Sequence, residues 1–155
     1  MVKPGKVISI LNNLRGHREK LDKLAEFSEA DFLRDFTKVE SAKHLLQISI
    51  ESCLDIAHHL VADGGYRTPQ DSYDAFVVLN EGQILPDDFM PALREMVSFR
   101  NRVVHIYWDV DDEVVYRIIQ EDLNDFDHFA VLIADYLERH EQDREEQPFT
   151  VFMPA

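Results

Sequence analysis

Between Met96 and Trp108, a chain with a net charge of −14 carries no acidic residue, and that window holds Arg100, Asn101, Arg102, His105 and Tyr107. This cationic island groups the side chains that hold and cut phosphodiesters. Arginine offers phosphate oxygens a planar fork of donors. Histidine titrates near neutrality and serves as general base or acid. A phenol donates or accepts a hydrogen bond, or is itself modified. On a straight α-helix Arg100 and Tyr107, seven residues apart, share a face, whereas His105 points about 140° away from Arg100. Arg100 and His105 therefore meet only if the helix breaks near Val104 or if a second subunit completes the site. Either route puts the site at a helix end or a dimer interface.

The elements that must position these residues read as helices. Apolar residues recur at helical spacing from Val7 to Phe27. Ser28-Glu-Ala-Asp31 starts a short helix or turn through Phe32, Leu33 and Phe36. Thr37-Lys-Val-Glu40 has the form of a capping box, opening a long helix that stops at Gly64-Gly65. Its apolar face is Val39, Ala42, Leu46, Ile50, Cys53, Ala57 and Leu60. A polar stripe of Glu40, His44, Gln47, Glu51, Asp55, His58 and His59 runs beside it. A short helix covers Ser72 to Glu81. Leu85-Pro-Asp-Asp-Phe89 opens the helix that carries the island, with Met90, Leu93, Met96, Val97 and Val104 as its apolar stripe. Asp111-Asp-Glu113 begins one last long helix with a core face from Val115 to Leu137. Pro148 to Pro154 is a short apolar tail, expected to dock on its own bundle, with a partner as the alternative.

Composition bounds the reading. A chain of 155 residues, 45% apolar with five glycines and six prolines, is one helical globular domain by default. The single Cys53 excludes an internal disulfide, and its apolar neighbours make it a small buried thiol rather than a nucleophile. The N-terminus shows no signal-peptide pattern and no apolar run reaches a membrane span, so a cytoplasmic protein is expected. The acidic surface opposes broad nucleic-acid affinity: an RNA would have to meet the local island, and its binding would be modest and salt-sensitive.

Arg100-Asn101, the four residues between Arg100 and His105, and Tyr107 resemble the Arg-x4-His-x-Tyr motif of HepT-like toxins, a branch of the HEPN superfamily of all-α ribonucleases. The resemblance continues through Trp108-Asp-Val-Asp-Asp-Glu-Val-Val-Tyr116 and includes Ile50 to Leu60. It spans the chain from the first helix to about His140, beyond which the acidic region has no counterpart. The resemblance implies an all-α, up-down bundle of four to five helices over residues 1–147, with 148–155 a tail. It implies a homodimer with the motif helices near the dyad, acting as the endoribonuclease toxin of a toxin–antitoxin pair without metal or cofactor. His105 would then move protons, Arg100 would stabilise developing phosphorane charge, and Asn101 would position the phosphate or cap the helix end. Glu51 and Asp55 would support Arg100 or His105 from the neighbouring helix. Tyr107 would accept AMP from a MntA-like minimal nucleotidyltransferase antitoxin. The alternative from another class is a non-catalytic helical module that binds this nucleotidyltransferase and is modified by it.

Two plainer readings stand beside these. Asp55-x-x-His58 and Asp125-x-x-His128 imitate the carboxylate–His pairs of di-metal bundles, but the further inward carboxylates such a site needs are missing, which argues against a metal. By residue type alone, Arg100 could simply pair with an acid and His105 could be an ordinary helix-end histidine.

Overall fold

A computed structural model describes residues 3–146, with side chains described for all of these except Tyr107 and 142–146. The expected tail 148–155 lies outside the described residues. The protein is an all-α helical bundle. In chain order its α-helices are α1 (Pro4–Ala25), α2 (Glu29–Arg34), α3 (Phe36–Asp63), α4 (Ser72–Glu81), α5 (Met90–His105), α6 (Asp112–Glu121) and α7 (Asn124–Glu146). Short 3-10 turns at Asp87–Phe89 and Tyr107–Asp109 bracket α5.

Helix α3, roughly 40 Å long at 1.5 Å per residue, is the spine, and α1, α2, α4, α5, α6 and α7 all pack on it. Its expected apolar face is buried in full: Val39, Ala42, Leu46, Ile50, Cys53, Ala57 and Leu60 are each at most 2% exposed. Cys53 lies wholly inside, and burial pushes its thiol pKa far up, so it is chemically quiet. Lys43, an unexpected member of the buried set, reaches Asp112 at 3.0 Å and so ties α3 to the first turn of α6.

Three boundaries differ from the sequence reading, each for a local reason. The capping box at Thr37 does not open α3. Asp35 does: its carboxylate accepts from the Thr37 backbone N–H at 3.0 Å and the Thr37 hydroxyl at 2.5 Å. The island helix starts later than Leu85-Pro-Asp-Asp-Phe89, which instead forms the turn before it; Pro91 is the proline in the first turn of α5. The single last helix is two, α6 and α7, because Asp122-Leu-Asn-Asp125 contains residues that bond their own backbone more readily than they continue a helix. Asp122 leaves helical geometry at φ −112°, while Leu123 stays buried and anchors the corner.

At Gly64 and Gly82 any side chain would force a neighbour to shift. The Tyr66 ring lies between them, and a Cβ would fall 2.5 Å from it at Gly64 and 2.7 Å at Gly82. Next to that ring, Arg67 bridges Asp74 and Glu81, holding Asp74 near 2 and Glu81 below the usual carboxylate range. Hydrogen bonds from Lys38 and Thr37 likewise hold Asp35 near 2. Because these folded-state values lie below the unfolded ones near 4, the stability they contribute is present above about pH 4 and is lost as pH falls toward 2. Asp122 and Asp125, raised by partial burial and then by neighbouring carboxylates, act in the opposite sense: their cost is present at neutral pH and is relieved on acidification. Urea melts across this range should therefore show a shallower acid loss for Arg67→Ala than for the parent. The change is expected to be small because the pairs are exposed; an unaltered acid slope would remove Arg67 from this role.

Candidate active site

Helix α5 keeps α-helical hydrogen bonding through His105, and the Ile106 N–H still donates to the Arg102 carbonyl at 2.8 Å. The break falls at Ile106 (φ −136°, ψ 54°), not near Val104. Arg100 and His105 therefore remain on one continuous helix and face about 140° apart. The Tyr107–Asp109 turn leaves the helix, so the shared Arg100–Tyr107 face of an uninterrupted helix does not form. The expected stripe is also altered at its end: Val103 is buried and Val104 is 41% exposed. The line from Leu93 reaches Arg100 and its polar cleft before Val104, which lies outside the buried core.

Arg100 faces a cleft of about 440 Å³ between α1, α3 and α5, lined also by Asn13, His17, Glu51, Asp55 and His58. Its Nε donates to Glu51 Oε1 at 3.3 Å and its Nη1 donates to Asn101 Oδ1 at 3.0 Å. Glu51 thus contacts Arg100 from α3. Asp55 shares the cleft but meets His59 at 3.6 Å. Burial, with Lys20 and His44 nearby, holds His17 below the ordinary imidazole value. The metal-like pairs are apart: Asp55 and His58 line this cleft, whereas His128 packs edge-on against Phe89 at 4.5 Å. No metal-holding group of three or more His, Cys, Asp or Glu occurs among the described residues.

His105 faces a second cleft, of about 460 Å³, together with Asn101, Arg102, Tyr73 and Arg94. The N-terminus of α4 stands between the two clefts, with Ser72 lining one and Asp71 and Tyr73 the other. Asn101 connects them, since it lines the His105 cleft and accepts from Arg100. Arg102 donates to the Asp109 carbonyl at 3.1 Å and to its carboxylate at 3.3 Å, clipping the Tyr107–Asp109 turn onto the end of α5. The exposed apolar side chains Val104, Ile106 and Trp108, the last 85% exposed, gather at this helix end. The Tyr107 side chain lies outside the described side chains.

Tyr73 and Arg94 were not singled out in the sequence. The guanidinium of Arg94 lies 4.4 Å from the Tyr73 ring centroid. A signal for Arg94 existed: it precedes His105 by eleven residues, about 20° from the same line on a helix. Its pairing with Tyr73 depends on how α4 packs and has no sequence signature.

No described helix is long and apolar enough to cross a membrane. The chain resembles the mRNA nuclease HepT of Shewanella oneidensis, with 33% identity over 104 residues, 67% of this chain and 78% of that protein. It also resembles the tRNA nuclease HepT of Aphanizomenon flos-aquae, with 26% identity over 127 residues, 82% and 86% of the two chains. Among solved structures, the tri-AMPylated Shewanella oneidensis HEPN toxin in complex with MNT antitoxin superposes with a TM-score of 0.77 at 27% identity, covering 83% of this chain and 96% of that one. Residues 15–133 match the ribonuclease HepT-like family, and with the Arg100-to-His105 spacing at the exposed end of α5, the chain belongs to that family.

Proposed function

We propose that this protein is the toxin of a toxin–antitoxin pair, a metal-independent endoribonuclease that works as a homodimer and is silenced when a minimal nucleotidyltransferase adenylylates Tyr107. The observation that carries the reading is the placement of Arg100, Asn101 and His105 at one exposed helix end in a chain that matches the HepT-like family over residues 15–133. His105 removes the proton from a ribose 2′-hydroxyl, whose oxygen attacks the adjacent phosphorus. The 5′-oxygen leaves with a proton taken up from water. The products are a 2′,3′-cyclic phosphate and a 5′-hydroxyl. Arg100, held by Glu51, supplies positive charge to the phosphorane, and Asn101 aligns the phosphate.

Because Arg100 and His105 diverge on one helix, the working site needs His105 of one copy beside Arg100 of another. Val104, Ile106 and Trp108 offer the apolar surface that a second copy would cover. Light scattering should give twice the 18.1 kDa chain mass. Mixing Arg100→Ala with His105→Ala subunits, each inactive alone, should restore about a quarter of parental cleavage, since half the random dimers carry one intact site. A monomer at micromolar concentration, or dimers that show no recovery, would count against the composite site. The non-catalytic reading draws on Arg100 being already engaged by Glu51; a parent protein that cuts no RNA while still accepting AMP would favour it.

A further inference from the structure

We propose that Tyr73 and Arg94 form a second RNA subsite, a stacking platform for a nucleobase with a phosphate contact, set along α5 from the scissile position at His105. This rests on the endoribonuclease reading above. Arg94, Asn101 and His105 lie in one stripe of α5 and line one cleft. Arg94 is about 16 Å from His105 along the helix axis. That is beyond a dinucleotide held at His105 and within reach of a strand a few nucleotides long.

The chemistry of the pair suits single-stranded RNA. The half-buried Tyr73 ring is fixed on α4, and the exposed guanidinium of Arg94 covers it at 4.4 Å. The outer face of that guanidinium is planar and can take a base, while its N–H edge is left for phosphate. Arg94 has no carboxylate partner among the described residues. Arg18, Arg34, Arg67, Arg100 and Arg102 each have one, and although Arg117 and Arg139 show none among the described residues, neither lines this cleft. The cleft's own carboxylate, Asp71, is occupied in capping α4, where it accepts from the Asp74 N–H at 2.7 Å. On a chain of net charge −14, an arginine without a carboxylate partner in the cleft that also holds His105 is a place where a polyanion gains.

The test measures fluorescence anisotropy of 2′-O-methyl RNA, a dinucleotide and a hexanucleotide, on the full-length protein, with cleavage of the unmodified strands followed in parallel. The parent should bind the hexanucleotide more tightly than the dinucleotide. Arg94→Ala and Tyr73→Ala should each weaken hexanucleotide binding about tenfold or more, consistent with the loss of one stacked base. Tyr73→Phe should retain the affinity, which separates stacking from a general fault in folding. Arg15→Ala, which removes the same charge from an exposed pair on α1, should leave it within about twofold. Equal affinity for the two lengths, or an Arg94→Ala loss no larger than that of Arg15→Ala, overturns the subsite. Length- and Arg94-dependent binding without any cleavage supports the subsite and sinks the catalytic reading. Cleavage with Arg94-independent binding sinks the subsite alone.

Discussion

Replacing His105 by alanine should lower RNA cleavage by about 10²–10⁴-fold, the range for losing a positioned proton-transfer group. His105 is exposed at the last turn of α5, away from the core cluster, so its loss should leave the thermal transition close to the parent's. That combination separates a chemical role from a structural one. The parental rate should also persist in EDTA, since the proposed step uses a histidine, an arginine and an amide. A His105→Ala protein that cuts as fast as the parent, or a parent silenced by EDTA, would end the proposed mechanism. Glu51→Gln is a subtler companion. It keeps the shape beside Arg100 but removes the charge from their 3.3 Å contact, and a modest rate loss is expected as Arg100 loses its anchor.

Tyr107→Phe should abolish the AMP mass increments seen when the protein is made together with its nucleotidyltransferase. RNA cleavage should survive, and the nucleotidyltransferase should no longer suppress it. The expectation is specific to Tyr107 because the other four tyrosines have other roles. Tyr66 fills the space between Gly64 and Gly82, and Tyr136 packs near it. Tyr73 lies under Arg94, and the Tyr116 hydroxyl donates to the Phe27 carbonyl at 2.8 Å. Position 107, by contrast, starts a 3-10 turn between two helices, presented by the Arg102 clip on Asp109. Added nucleotide phosphates there would bring negative charge to the cationic end of α5 and compete with RNA for it. Intact-mass spectra decide the matter. AMP still added to Tyr107→Phe would move the acceptor to another tyrosine, with Tyr116 tested next. An unmodified but inactive variant would place the phenol in the chemistry itself.

The sequence by itself determined the all-α class, the long α3 spine and its buried face. These follow from periodic apolar residues and from Gly64-Gly65, which are local signals. It also determined the motif, because Arg100, Asn101 and His105 are close along the chain and their helical angles follow from spacing alone. Boundaries were less legible where two local signals competed: Asp35 took the cap from Thr37, and Asp122-Leu-Asn-Asp125 cut a continuous apolar pattern in two. What only the tertiary structure decided is which charges remain available. In the sequence, Arg100 and Arg102 look like the exposed cations of an acid-free window. In the fold, Glu51 from α3 engages Arg100, and Asp109 folds back onto Arg102, while Arg94, outside that window and flanked by Glu95, lies on Tyr73 without a carboxylate. Charge pairing depends on distances of a few ångströms, set for Arg100 by a helix 49 residues away in sequence and for Arg102 by the break after α5, and no pattern along one helix encodes them. The same packing set the N-terminus of α4 between Arg100 and His105, dividing one motif between two clefts.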